Sequence, residues 1–504
     1  ATLFEAAGQA GIIMNTACGG RGICEKCEAI LEPDGEKVLA CQYRIERDLV
    51  VTIPVSSRFF EQKILAEGIE TAGIQPDIYE KYLKIQPKEQ ILGVAVDIGT
   101  TTVVARLIDM QDGRCLATEA ALNPQTRYGD DVVSRIAYAD TDNKLGELQT
   151  KIIDCVNELI TRLCKQANID SNQIFEVCAV GNTTMNHIFL KLPVRQLGQA
   201  PYKAYSLDAK DTAADESGLQ INSAGNIHTV ENIAGFVGSD TTAVALATGI
   251  DAAEKMTLAV DIGTNGELVL GTAEKLYAAS CAAGPALEGA RISCGSRAVE
   301  GAIEAVVVNE DDIVLDVIGS SPAHSICGSG LIDAVAVLLN LGIVDATGRF
   351  VEAASLEDKL SPALLSRIIE KDKQPAFVLD DSQNVILTQA DIRQVQLAKA
   401  AIRAGIILLE QKLGISDSDI ERIFLAGAFG NYIRAESALR LKLLPDVPTE
   451  RIRFVGNAAS SGAQMILLSR HCREKAGQLA RKIEYLEIAH QPEFEEVFAN
   501  SMSF

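Results

Sequence analysis

Two stretches of this chain repeat each other across the span of a whole domain, and no other feature narrows its fold as much. "LGVAVDIGTTTVVARLID" (92–109) and "MTLAVDIGTNGELVLG" (256–271) each read as a strand ending in Val-Asp-Ile-Gly-Thr that turns at once into a second strand. Asp97 and Asp261 hold the same place in the two copies, 164 residues apart. That period is far longer than the roughly 20–50 residues of a solenoid unit, and it predicts two similar domains. Strand-like and helix-like segments alternate through both copies, so each half is expected to be α/β. The body divides into 91–255 and 256–504, with the C-terminal helices free to pack back on the first half. The most regular helix is expected over 388–414. Ile392, Val395, Leu397, Ala398, Ile402, Ile406, Leu409 and Leu413 give it a broad apolar face, with Thr388 as cap and Gly414 as stop.

Ahead of this body, "CGGRGICEKC" places Cys18, Cys24 and Cys27 within ten residues, and Cys41 follows in "VLACQYR". The spacing is C-x₅-C-x₂-C-x₁₃-C. A zinc ribbon usually offers two C-x₂-C knuckles, and only Cys24 and Cys27 have that separation. The pattern is closer to the plant-type [2Fe–2S] run, C-x₄-C-x₂-C with a distant fourth cysteine. Gly19, Gly20 and Gly22 would let the backbone wrap tightly and aim N–H groups at sulfur. A [2Fe–2S] cluster is the expectation; zinc or structural thiols are the alternatives. Around the loop, "TLFEAAGQAGI" reads as a short helix with Thr2 and Glu5 at capping-box spacing. "CEAILEPDGEKVLAC" reads as a strand pair, and "DLVVTIP" as a strand stopped by Pro54. Residues 1–54 thus form one unit. The Lys/Glu-rich stretch 55–90 is read as a linker.

The remaining composition sets limits. The chain has 504 residues, 47% of them hydrophobic, enough for real cores although there is no Trp. Its other cysteines are isolated in apolar segments and read as buried hydrophobes of a reducing cytosol, which argues against a disulfide framework. A net charge of −22 leaves no basic stripe for nucleic acid. No apolar run approaches the length of a membrane span, and no signal peptide is visible. The first residue is not Met, so an incomplete N-terminus is expected. Acidity is compatible with nucleotide binding, because backbone N–H groups can hold phosphate.

Three further segments join the duplicated hairpins: "IFLAGAFGNYI" (423–433), "SCAAGPALEGARISCG" (280–295) and "HSICGSGLIDAVAVLL" (324–339). Together the five resemble the phosphate-1, phosphate-2 and adenosine motifs of the actin, sugar-kinase and Hsp70 superfamily, in that order. No G-x-x-x-x-G-K-[ST] loop competes with this reading. The resemblance implies a duplicated, ribonuclease H-like α/β body whose two halves face a nucleotide cleft. Asp97 and Asp261 would orient Mg²⁺ through its waters, and Glu267 would position an attacking water. Gly99, Thr100 and Thr101 would contact phosphate from one hairpin, and Gly263, Thr264 and Asn265 from the other. Gly284, Gly328, Gly427 and Gly430 would let the nucleotide approach the backbone. Residues 1–54 resemble the later part of a β-grasp ferredoxin domain, with its opening hairpin absent from this chain. Asn123, Gln125 and Asn182 are candidates for the border of the cleft, whereas His187 reads as a core residue.

An iron–sulfur unit, a linker and a kinase-like body in one chain resemble the reductive activators of corrinoid proteins, found with methyltransferase and O-demethylase systems. The resemblance covers essentially the whole chain. It implies a cytoplasmic, ATP-dependent enzyme with a [2Fe–2S] cluster on Cys18, Cys24, Cys27 and Cys41. Its partners would be a corrinoid protein and a low-potential electron donor, with no nucleic acid and no membrane; a homodimer is left open. Two alternatives stand beside it: a small-molecule kinase with a structural cluster, and a nucleotide-binding redox sensor or adaptor. Cys281 and Cys294 also prompt comparison with dehydratase activators, which bridge a [4Fe–4S] cluster between subunits, but the dedicated N-terminal cysteines argue against that.

Overall fold

The computed structural model of the protein describes residues 2–9, 27–33, 35–53, 74–85, 90–129, 131–289, 291–380, 385–427 and 433–504. Near the N-terminus, the helix Leu3–Gln9 packs on a small antiparallel sheet of β1 (Glu28–Glu32), β2 (Glu36–Leu39) and β3 (Val50–Thr52), in the order β2-β1-β3. Ala29 and Leu31 alternate with solvent-facing neighbours on β1, so one face carries the apolar side chains. Leu3, Ala7, Cys27, Ala40 and Ile53 join them in a separate small core.

The duplication predicts two like sheets, and the body contains them. The first six-stranded sheet comprises β4 (Leu92–Ile98), β5 (Thr102–Asp109), β6 (Cys115–Leu122), β7 (Ile174–Gly181), β8 (Lys210–Ala213) and β9 (Asn226–Thr229), ordered β6-β5-β4-β7-β9-β8. The second begins with β10 (Thr257–Ile262), β11 (Gly266–Gly271) and β12 (Leu276–Cys281). Two three-stranded sheets are inserted next: β13 (Ala302–Asn309), β14 (Asp312–Val317) and β15 (Ser325–Ile326), then β16 (Ile368–Lys371), β17 (Gln374–Val378) and β18 (Ile386–Thr388). The second large sheet is completed by β19 (Arg422–Ala426), β20 (Ile452–Gly456) and β21 (Glu484–Tyr485), giving β20-β19-β10-β11-β12-β21.

Five strands of each sheet correspond: an antiparallel meander, β4-β5-β6 or β10-β11-β12, followed by two parallel strands beside its first member. A long helix connects meander to parallel strands in each half, Asp142–Ala167 and Gln389–Leu413. β4, β7 and β10 are almost wholly buried, as continuous apolar strands covered on both faces must be. Thr388 and Asp391 form the capping box of Gln389–Leu413, and Gly414 closes it in the left-handed conformation. Leu397 departs from the expected apolar face and is exposed, because the helix buries a narrower stripe there.

Helices Ser239–Thr248 and Ala458–Leu468 also occupy equivalent places, after β9 and β20, and they pack on each other. A Cβ on Gly462 would sit 2.1 Å from the Ala243 carbonyl oxygen, so only glycine allows this approach. Ala458–Leu468 also lies on β4 and β7, which brings the C-terminal segment onto the first sheet.

Within the stretch read as a linker, residues 74–85 are part of the body. Ile78 and Tyr82 are buried in the same core as Phe175 and Met110. Glu176, buried on β7, receives Lys81 Nζ at 2.8 Å, Arg473 Nη2 at 2.7 Å and the Tyr82 hydroxyl. His187 is a core residue: Nδ1 meets the Thr183 carbonyl at 2.7 Å, Nε2 accepts from Ser206 N, and burial pushes its pKa down to about 4. Cys281 is buried with its sulfur against Gly405, so it faces the interior of the second half. Among the described residues, no helix is long and apolar enough to cross a membrane.

Candidate functional site

In each half the central strand ends one residue after its aspartate and passes into a tight turn. β4 carries Asp97 into Gly99–Thr101, and β10 carries Asp261 into Gly263–Asn265. The turns face each other, with Thr101 Oγ1 and Thr264 Oγ1 hydrogen-bonded at 2.8 Å. Behind this bridge lies a cavity of about 320 Å³. Its walls include both turns, Asp97, Asp240, Asp261, Glu267, Glu288, Arg297, Gly328, Gly427 and Asn457. Gly427 is required where it stands: a Cβ would lie 2.9 Å from Asp261 Oδ1 and 2.4 Å from the Ile262 carbonyl oxygen.

Five carboxyl groups share this small space, and each is harder to ionise than in water. Burial pushes Asp97 up to about 6, even though Asn457 Nδ2 donates to its Oδ2 at 2.9 Å and Arg106 lies nearby. Burial and then the charge of Asp97 push Asp240 up to about 7. Burial, with Asp240 and Asp97 adding repulsion, pushes Asp261 up to about 8. Glu267 is raised well above the usual range by burial and by Asp240 and Asp261, although Ser280 donates to it at 3.3 Å. Glu288 is raised by burial, and Thr264 Oγ1 donates to it at 3.1 Å. Among the described residues no three of these carboxylates are arranged to ligate one ion directly; oxygen donors gathered at such cost suit contact with a hard divalent cation through its waters. Paired backbone turns beside them suit polyphosphate.

The structure brings together most of the residues singled out in the sequence. Asp97, Asp261, Glu267, Gly99, Thr100, Thr101, Gly263, Thr264, Asn265, Gly328, Gly427 and Asn182 all line the cavity. Asn123 and Gln125 stand behind the first turn, where Asn123 Nδ2 donates to the Gly99 carbonyl at 2.9 Å. Gly284 is not among the lining residues; it precedes the short 3₁₀ turn Pro285–Glu288, whose last residue reaches the cavity in its stead. Gly430 lies outside the described residues.

Asp240, Glu288, Arg297 and Asn457 were not legible as site residues. A signal existed for two of them. "VGN" at 180–182, "VGS" at 237–239 and "VGN" at 455–457 each run into a helix start, the first and last directly from a strand end. Asn182 and Asn457 are the N-caps of their helices, and Asp240 follows the second repeat, so all three face the cavity from helix N-termini.

In the N-terminal unit, Cys27 Sγ and Cys41 Sγ lie 3.3 Å apart as free thiols. Two sulfurs on one tetrahedral ion at about 2.3 Å would be roughly 3.8 Å apart, so this hydrogen-bonded pair would have to open by about half an ångström to share a metal. Cys18 and Cys24 lie outside the described residues.

Fold and cleft together define a two-lobed α/β protein of the actin/sugar-kinase/Hsp70 class. Comparison with known proteins narrows this: residues 255–504 match the C-terminal ASKHA domain of RACo, and residues 92–253 match the RACo middle region. The chain belongs to the RACo family. It is 34% identical to the corrinoid activation enzyme RamQ of Eubacterium limosum, over 98% of this chain and 94% of that protein. It is 25% identical to a Co(II) methylated amine-specific corrinoid protein reductase of Methanosarcina barkeri, over 82% of this chain and 77% of that one. A solved reductive activator for a corrinoid, iron–sulfur protein superposes with a TM-score of 0.77 and 30% identity, covering 100% of this chain and 95% of the other.

Proposed function

We propose that this protein is an ATP-dependent reductive activator that returns one electron to the Co(II) corrinoid of a partner methyl-carrier protein, regenerating Co(I). The observation that carries the reading is the carboxylate-lined cleft between two phosphate-type turns, in a chain that also sets two cysteine sulfurs 3.3 Å apart. A ferredoxin has no use for the first feature, nor a sugar kinase for the second.

Cys18, Cys24, Cys27 and Cys41 would hold a [2Fe–2S] cluster, with Cys27 and Cys41 on one iron. Such a cluster supplies electrons singly at a plant-type potential of about −400 mV. Reduction of Co(II) from there is uphill, and each ~59 mV of deficit costs about tenfold in equilibrium. The body's task is therefore to make docking of the corrinoid protein depend on nucleotide, so that differential binding offsets the deficit. Asp97, Asp240 and Asp261 would hold the waters of Mg²⁺. The amides of Gly99–Thr101 and of Thr264 and Asn265 would hold phosphate oxygens, and Glu267 would orient a water toward the terminal phosphate. Gly328 and Gly427 would leave room for the nucleoside. A low-potential donor in the cytoplasm would reload the N-terminal unit.

The test follows nucleotide and cluster separately. Asp97→Ala and Asp261→Ala in reconstituted protein should weaken MgATP binding at least tenfold and leave the visible spectrum of the cluster unchanged. Wild-type affinity in both variants would remove these residues from the site. Stoichiometric zinc without acid-labile sulfide would remove the cluster.

A further inference from the structure

The two duplicated turns are not held alike. Gly99 is sterically obligatory, since a Cβ would lie 2.5 Å from the Thr102 carbonyl oxygen. At Gly263 the nearest atom to such a Cβ is 3.7 Å away, an ordinary contact. Side chains from a single downstream segment then fix the carbonyls of the first turn. Asn123 Nδ2 takes the Gly99 carbonyl at 2.9 Å, and the guanidinium of Arg135 takes the Thr100 carbonyl through Nη2. Asn182 Nδ2 holds the Thr100 hydroxyl at 2.9 Å. In the second turn, the hydroxyl of Thr264 is held by groups that themselves line the cavity, Glu288 and Thr101.

Arg135 is fully buried, among the largest side chains in the protein to be so. Its other donors bind the Gly129 carbonyl at 3.0 Å, Gln125 Oε1 at 3.4 Å and the sulfur of Met185 at 3.1 Å. Gln125 in turn donates to the Leu148 carbonyl on the long helix of the first half. Arg135 itself lies behind the turn, and is not among the residues lining the cavity. Burying a guanidinium is costly, and its planar fork is suited to fixing several acceptors at once.

We infer that Arg135 is a positioning residue for phosphate. By holding the Thr100 carbonyl away from the cavity, it keeps the neighbouring amide N–H groups of the Gly99–Thr101 turn pointing inward before any ligand arrives. The first turn is then the pre-organised half of the phosphate clamp, and the second is the half that adjusts when the cavity fills. Pre-organisation raises affinity by reducing what must be ordered on binding. This rests on the nucleotide reading above, and goes beyond it by assigning unequal roles to the two turns.

The experiment measures calorimetric affinities of the full-length protein for ATP, ADP and AMP, each with Mg²⁺. It compares wild type, Arg135→Lys and Asn123→Ser. The lysine keeps a cation but loses the fork. The serine keeps an oxygen able to cap Gln125 N and loses the Gly99 carbonyl brace. Both variants should weaken ATP about tenfold or more and AMP little, so that the ATP/AMP preference falls while the melting temperature of Asn123→Ser stays near that of wild type. A merely structural role would lower all three affinities together, and would leave that preference unchanged; this result overturns the assignment. If the wild type binds none of the nucleotides, the nucleotide reading fails and the assignment falls with it.

Discussion

Replacing Asp261 by Asn should stabilise the ligand-free protein while destroying its response to MgATP. Asp261 is half-buried at the end of β10, and its pKa is pushed up to about 8 from 3.8, first by desolvation and then by Asp240 and Asp97. A carboxyl group raised in the folded state contributes stability that is fully present below its unfolded pKa and lost as pH rises through the folded one. The window for Asp261 is thus roughly pH 4 to 8. At about 1.4 kcal/mol for each pH unit the gap is worth at most about 6 kcal/mol. Asp97 and Asp240 share that repulsion, so removing one member should recover about 2 kcal/mol at pH 8. For lobes of this size that is a rise of about 5 °C in melting temperature. Calorimetric melts of wild type and Asp261→Asn at pH 6 and pH 8, with and without MgATP, make the test. The wild type should melt lower at pH 8 than at pH 6 without ligand, and should regain stability when MgATP is added. The variant should show a flatter pH dependence and little response. A variant that melts below wild type at pH 8 without ligand, or that MgATP stabilises as much as wild type, would refute the reasoning.

Gly99→Ala should abolish nucleotide binding, because its Cβ meets the Thr102 carbonyl oxygen at 2.5 Å, whereas Gly263→Ala, with 3.7 Å of clearance, should weaken binding only a few-fold in the same calorimetric titration. Asp240→Asn should lower ATP turnover at least tenfold in a phosphate-release assay without altering the cluster spectrum. Cys27→Ser should lower the iron and sulfide bound per chain while leaving MgATP affinity unchanged. Glu176→Gln removes the buried partner of Lys81 and Arg473 and should destabilise the protein by about 3–5 kcal/mol, read as a lower urea midpoint.

Much of the fold was legible because the strongest signals were local. The Val-Asp-Ile-Gly-Thr echo gave both hairpins and the place of Asp97 and Asp261. The helix over 388–414 carried its own punctuation in Thr388 and Gly414. What escaped was set by tertiary contact. Asp240 and Asn457 belong to the site only because the helices after β9 and β20 bring their first turns back to the cavity, a fact of topology. Glu288 lies four residues beyond Gly284, which itself stands off the cavity wall. The docking of residues 74–85 depends on Tyr82 and Lys81 meeting Glu176, a contact across more than ninety residues that a Lys/Glu-rich composition conceals.

The most direct test of the central claim mixes the reduced, cluster-loaded protein with a cognate Co(II) corrinoid protein, with and without MgATP, and follows the cobalt spectrum. Co(I) should accumulate, and be trapped by methyl transfer, only when both cluster and MgATP are present. Equal rate and extent of Co(I) formation without nucleotide, across several corrinoid partners, would contradict it.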